Sequence, residues 1–152
     1  MIKSIFHVNI NVKDFDRSLA FYQMLGFKVA FNVGEGGNPA FEEGLRIPNN
    51  RGKAALLLLG DDPRATRIDL IEWKVPKTEG EPYPHLWHTG VARVAFHTKD
   101  IDQEYERLKA KGVEFLSAVQ TMKMGGGITK FVCFKDPDGQ ILELIEFPKQ
   151  QN

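Results

Sequence analysis

Apolar and polar positions along this chain follow two different periods, and the switch between them occurs twice. Phe6, Val8, Ile10 and Val12 alternate with His7, Asn9 and Asn11, the period-two pattern of a strand with one packed face. The period then lengthens, and Phe15, Leu19 and Tyr22 fall at i, i+4 and i+7, one stripe of a helix. The same switch recurs further on: Val94 and Phe96 alternate with Arg93, Ala95 and His97, then Ile101, Tyr105 and Leu108 take the helical spacing. Asp14 and Asp100, 86 apart (100 − 14), stand where each helix begins, as N-caps whose carboxylates accept from orphan backbone N–H groups. Gln103 adds a capping-box pattern to the second. Gly26 and Gly112 repeat the offset of 86 (112 − 26) where each helix should end in a left-handed turn. Each glycine leads into another alternating run, Phe27–Phe31 and Val113–Leu116.

A second landmark sets the register of the remainder. Asp62-Pro63 matches Asp136-Pro137 at an offset of 74 (136 − 62), and the same offset carries Asp69-Leu70-Ile71-Glu72-Trp73 onto Glu143-Leu144-Ile145-Glu146-Phe147. The Asp-Pro pairs read as turns between strands, with proline where no ladder donor is needed. The fall from 86 to 74 gives the first half 12 extra residues. They are assigned to the glycine-rich stretch 32–53, read as a long loop bordering a site, with Phe41 and Leu45 placed to close over a ligand. The expected organisation is a single domain over 1–152, made of βαβββ modules at 3–75 and 91–148 with a proline-rich linker at 76–90. Gly125-Gly126-Gly127 reads as a hairpin turn, since no Gly-Lys-Ser/Thr follows, and Lys149–Asn152 as a fraying end.

Parity picks out the chemistry. In the closing strands Leu142 and Leu144 should pack on a helix, which turns Glu143, Ile145 and Phe147 to the opposite face. Asp69, Ile71 and Trp73 follow suit in the first half. His7, Asp69, Arg93 and Glu143 thereby become two equivalent pairs on faces that point away from the helices. Two carboxylates, an imidazole and a guanidinium in such a place are costly unless they satisfy one another or a ligand. Asn9, Asn11, Trp73, His97, Met122 and Phe147 are the expected substrate-binding residues around them. Glu72 and Glu146 have the other parity and read as peripheral. His85 and His88 fall in the linker and read as surface residues, and Cys133 as a small apolar strand residue.

Composition narrows the function. Lysine plus arginine and aspartate plus glutamate number 20 each, so the net charge is zero and the basic excess of a nucleic-acid binder is missing. The longest apolar run, Ala54–Leu59, has strand length and falls far short of the roughly 18–20 residues that span a bilayer. The first residues lack the apolar core of a signal peptide, giving a cytoplasmic expectation. The single cysteine excludes an internal disulfide.

The chain resembles the vicinal oxygen chelate superfamily over nearly its whole length. That superfamily includes glyoxalase I, bleomycin- and fosfomycin-resistance proteins, methylmalonyl-CoA epimerase and extradiol dioxygenases. The most specific stretches are Lys13–Tyr22 with Leu25-Gly26-Phe27, Asp100-Ile101-Asp102 with Lys111-Gly112-Val113, and Phe134–Leu144. The resemblance implies an α+β fold, two tandem βαβββ modules forming a paired, cup-shaped mixed sheet, with a small-molecule cavity between the modules and frequent dimerisation. In metal-bearing members of the family one residue on the first strand and one on the last strand of each module hold a divalent cation. Those positions are His7, Asp69, Arg93 and Glu143 here. The third is usually histidine, and a guanidinium donates hydrogen bonds but cannot ligate a cation. No cofactor is therefore expected; if a metal is bound, His7, Asp69 and Glu143 are its ligands.

Three functions compete on this reading. The favoured one is metal-independent lyase, isomerase or hydrolase chemistry on a small oxygenated metabolite, with His7, Asp69, Arg93 and Glu143 catalytic. His7 serves as base and Asp69 orients it, Arg93 stabilises developing oxygen charge, and Glu143 acts as a second acid or base or as the partner of Arg93. The alternatives are a metal-dependent glyoxalase-type lyase or extradiol dioxygenase, and a non-catalytic antibiotic-binding protein of the bleomycin-resistance kind. The expected partners are a small-molecule ligand and a second copy of the chain in a homodimer, with no nucleic acid and no membrane.

Overall fold

The computed structural model describes residues 1–124 and 126–148. Gly125 of the expected hairpin turn and the expected fraying end at Lys149–Asn152 lie outside the described residues. The chain divides into two compact units, Met1–Gly80 and a second beginning at Glu81.

The first unit runs β1 (His7–Asn11), α1 (Phe15–Met24), β2 (Phe27–Gly36), α2 (Pro39–Gly44), β3 (Arg51–Leu59) and β4 (Arg67–Val75). Its sheet has the order β1-β4-β3-β2, with β1 parallel to β4 and the other pairs antiparallel. The second unit runs β5 (Val94–His97), α3 (Ile101–Ala110), β6 (Gln120–Met124), β7 (Gly127–Lys135) and β8 (Ile141–Glu146). It repeats the topology as β5-β8-β7-β6, again with its first strand parallel to its last. Two four-stranded mixed sheets with their helices make this an α+β protein, as the alternation of periods predicts.

The helices begin and end where the sequence places their caps. Asp14 accepts from Arg17 N–H and Asp100 from Gln103 N–H, each at 3.0 Å, and both Gly26 and Gly112 take positive φ beyond the helix ends. α1 and α3 each seal the apolar face of their own sheet. Val12, Tyr22, Leu57 and Leu70 are fully buried in the first unit, and Ile101, Leu108, Val132, Phe134 and Leu142 in the second.

Several expectations need correction. Phe6 does not join the packed row; it is 57% exposed, because the ladder with β4 starts at His7. The Arg67 guanidinium lies 5.0 Å from its ring instead. Val113–Leu116 is not a strand: only Phe115 bridges, to Phe134, and the regular edge strand forms later as β6. The stretch 32–53 is not one loop. β2 continues through Gly36, bulged near Ala30 and Val33, and bulges allow a glycine-bearing strand to stay paired while it bends. α2 follows, started by the Asn38 side chain and a proline. Asn50 then fastens the return: its Oδ1 accepts from Asn38 N–H at 2.8 Å, and its Nδ2 donates to the carbonyls of Asn38 and Ile47.

The register also redistributes the 12 extra residues. Leu56 stands opposite Asp69 and Cys133 opposite Glu143, so β3 and β7 are offset by 77 (133 − 56). Nine of the extra residues (86 − 77) thus precede β3, and three (77 − 74) lie in the turn before β4.

Candidate functional site

Within the first unit, β1 and β4 run in parallel with Asn9 opposite Asp69, which sets His7 and Asp69 on one face. His7 Nε2 is 3.8 Å from Asp69 Oδ2, with the histidine side chain 39% exposed and the carboxylate 17%. Asn9 Nδ2 donates to the Asp69 carbonyl at 3.1 Å. Burial pushes the Asp69 carboxyl above the usual carboxylate range, while the charge of His7 and the amide of Asn9 pull it back. At 3.8 Å the two groups are close enough to interact as charges but do not share a hydrogen bond.

Two residues along β4 from Asp69, the same face opens into a recess of about 300 Å³. Val33, Phe41, Ala54, Ile71 and Trp73 provide its apolar wall, and Glu35, Asn38 and Asn50 its polar edge. Phe41, from α2, meets Trp73 edge to face, with ring centroids 6.3 Å apart. The Trp73 indole N–H donates to Asn11 Oδ1 at 3.1 Å, which holds the ring in place. Gly52 keeps the floor open. A Cβ there would stand 3.0 Å from the Glu72 carbonyl and 3.3 Å from Trp73 Cε3, so any side chain would press on the indole.

In the second unit the equivalent pair is an ion pair. Arg93 precedes β5, and its Nε lies 2.7 Å from Glu143 Oε2; the carboxylate is 8% exposed and the guanidinium 46%. Cys133, opposite Glu143 on β7, donates its thiol to the same oxygen at 3.7 Å. Burial pushes that thiol up to about 11, with the neighbouring Glu143 charge adding to the shift and Arg93 opposing it. Cys133 is therefore protonated at neutral pH. A guanidinium is a planar charged fork with further N–H donors, a geometry suited to a carbonyl or anionic oxygen.

The four predicted polar residues thus form two pairs, His7 with Asp69 and Arg93 with Glu143. Among the expected substrate-binding residues, Asn9 and Asn11 adjoin these features of the first unit and Trp73 lines the recess. His97 stacks on Phe147 at 5.7 Å between centroids on the second unit. Met122, on the edge strand β6, is 39% exposed. Glu72 and Glu146 are not merely peripheral. Glu72 Oε2 accepts from Phe15 N–H at 3.0 Å and Glu146 Oε2 from Ile101 N–H at 2.7 Å, each closing the start of a helix from the sheet beneath. The matched offset of 74 carried that signal. Asn50 and the Cys133 contact were missed, since neither the fastening of α2 nor a cross-strand partner shows in periodicity. His85 and His88 are exposed and stack on Trp87 and Tyr83.

As a metal site the donor set does not fit. Glu143, which the ligand arrangement would require, already carries the Arg93 guanidinium, and that group has no lone pair to offer a cation.

Comparison with known proteins agrees with this fold and these motifs. Residues 4–144 match the Glyoxalase/Bleomycin resistance protein/Dioxygenase superfamily, and the chain belongs to that family. It is 32% identical over 147 residues to a lactoylglutathione lyase of Haemophilus influenzae, covering 93% of this chain and 91% of that protein. A probable lactoylglutathione lyase of Vibrio cholerae is 29% identical, with 93% and 89% covered. Among solved structures, a glyoxalase family protein of Bacillus cereus superposes with a TM-score of 0.82 at 18% identity, covering 96% of this chain and 95% of that one. A genomically encoded fosfomycin resistance protein of Listeria monocytogenes gives 0.62 at 21% identity, with 99% and 98% covered.

Proposed function

We propose that this protein binds a small oxygenated metabolite and performs acid–base chemistry on it as a lyase, isomerase or hydrolase, without a metal. The observation that carries this reading is the 2.7 Å contact of Arg93 with the buried Glu143. A fixed cation stands where metal-bearing members of the family would place a ligand, and it offers the electrophilic help that a metal otherwise supplies. In the first unit His7 removes or returns a proton and Asp69 orients the imidazole; in the second, Arg93 offers a charged fork to an oxygen that carries charge. The two lyase relatives support the lyase class over simple sequestration.

The test is proton exchange. The protein, treated with chelator, is incubated in D2O with a panel of 2-oxo and 2-hydroxy carbonyl compounds and their thioesters, lactoylglutathione included. Deuterium incorporation or product formation is followed by NMR. Turnover that persists in chelator and falls by about 10²–10⁴ in His7→Ala is expected. Turnover that appears only with added divalent metal refutes the reading.

A further inference from the structure

We propose that the recess beside Phe41 and Trp73 holds an uncharged planar ring of the ligand, so that the substrate is an aromatic or ring-bearing oxygenated compound. This rests on the reading of His7 and Asp69 as the reacting pair. Four observations in the first unit support it.

The volume comes first. About 300 Å³ stands at the lower end of the roughly 300–1,000 Å³ of small-ligand pockets, in scale with a single or fused ring. The second is shape. The edge-to-face pairing of Phe41 with Trp73, at 78° between planes, lines the recess with two rings nearly at right angles, and aromatic rings favour edge-to-face and offset contacts with such surfaces. The third is polarity. Glu35 is the one charged side chain in the lining. Both ends of the Asn50 amide are occupied with backbone groups, and Asn38 Oδ1 accepts from Ala40 N–H. Among the lining residues an anionic group meets a carboxylate and no cation, and the nearby Lys74 ammonium is already paired with Glu72, whereas a neutral ring loses only water. The fourth is continuity. Ile71 and Trp73 share a strand face with Asp69, two and four residues along β4, or roughly 7 and 13 Å at strand rise. A ring in the recess therefore stands on the strand face that carries Asp69, and a substituent of several bonds would span the roughly 7–13 Å to that carboxylate.

The experiment needs no substrate. The protein has two tryptophans, and Trp87 is 82% exposed. In a Trp87→Phe background the single indole N–H resonance therefore reports on Trp73 alone. Benzyl alcohol and quinoline serve as neutral ring probes, with benzoate as the anionic control and cyclohexanol as the non-planar one. The expected result is a saturable shift of the Trp73 resonance with both ring probes, at dissociation constants on the order of 1 mM. Benzoate and cyclohexanol should bind at least about fivefold more weakly, and Glu35→Gln should narrow the gap for benzoate. Phe41→Ala should weaken the ring probes about tenfold; Phe41→Leu, which keeps bulk in α2, should weaken them as well. No saturable shift, benzoate binding as well as benzyl alcohol, or probes indifferent to both Phe41 variants would overturn the inference and leave the recess to some other occupant, such as a segment of protein chain. His7→Ala separates this from the function proposed above. Ring binding should survive it while turnover does not. If His7→Ala stops turnover but no ring probe binds, only the ring inference fails; if ring probes bind but His7→Ala turns over normally, only the acid–base reading fails.

Discussion

Asp69 is a carboxylate that the fold would sooner have protonated. Its pKa is raised above the ordinary 3.8 by burial. Whatever stability it contributes is therefore complete below the unfolded-state pKa and is lost as pH rises through the folded-state value. Asp69→Asn removes that dependence. Against wild type, the variant should gain stability as pH is raised from about 4 to neutrality while losing the orienting partner of His7. Denaturant midpoints of the two proteins from pH 3.5 to 8 measure this, and curves that stay parallel would show that burial at Asp69 is not felt. Glu143 presents the opposite case, a nearly buried carboxylate satisfied by a half-exposed guanidinium. Arg93→Ala should cost about 1–3 kcal/mol, less than for a fully buried pair because solvent screens the exposed partner. Urea unfolding near pH 7 reads the difference. The Cys133 thiol, at about 11, should resist alkylation by iodoacetamide at pH 7.5 in the folded protein, with modification following only global unfolding.

At the scale of elements, α1 and α3 start by a shared device. An aspartate N-cap on the helix and a glutamate reaching up from the last strand satisfy different backbone donors of the first turn, and both negative charges lie at the positive end of the helix dipole. Glu72→Ala and Glu146→Ala should each cost about 1 kcal/mol. Because the two caps lie in separate units and share no partner, the double variant should lose the sum of the two within about 0.5 kcal/mol. Chemical denaturation of the three variants tests this, and a loss well beyond the sum would mean that the helices are coupled. These elements were legible because caps, stripes and glycine stops are local features that repeat. The stretch 32–53 was misread for the converse reason. What keeps β2 in register through Gly34 and Gly36 is pairing with a strand some twenty residues away, and what shapes α2 is the Asn50 side chain fixing Asn38. Parity did place His7 with Asp69 and Arg93 with Glu143, since a strand face needs only alternation. It could not show that Phe41 would meet Trp73, which depends on where a short helix comes to rest.

At the scale of the molecule, the duplicated parts have diverged unevenly. Contacts that hold each unit together are kept in both halves: the glutamate caps, and the ion pairs of Lys53 with Asp16 and of Lys130 with Asp102. The paired residues on the site faces have changed, histidine against arginine and aspartate against glutamate, and the metal-free chemistry proposed above turns on the difference at Arg93. With the guanidinium in place, the wild-type thermal midpoint should move by no more than about 1 °C on adding chelator, Zn²⁺ or Mn²⁺. Arg93→His removes the fixed cation from Glu143 and supplies a neutral ring nitrogen beside it, so the carboxylate becomes free to ligate. Metal at about a hundredfold above its dissociation constant would then stabilise the variant by about 2.7 kcal/mol, a rise of roughly 5–10 °C for a chain of this size. Arg93→Lys, which keeps the charge but not the planar fork, should show no such gain and serves as the control. Differential scanning fluorimetry of the three proteins, each with chelator and with metal, decides the matter. A wild-type midpoint that falls on chelation and returns with metal would mean that Arg93 swings aside for a cation, and the metal-free chemistry proposed for this protein would be wrong.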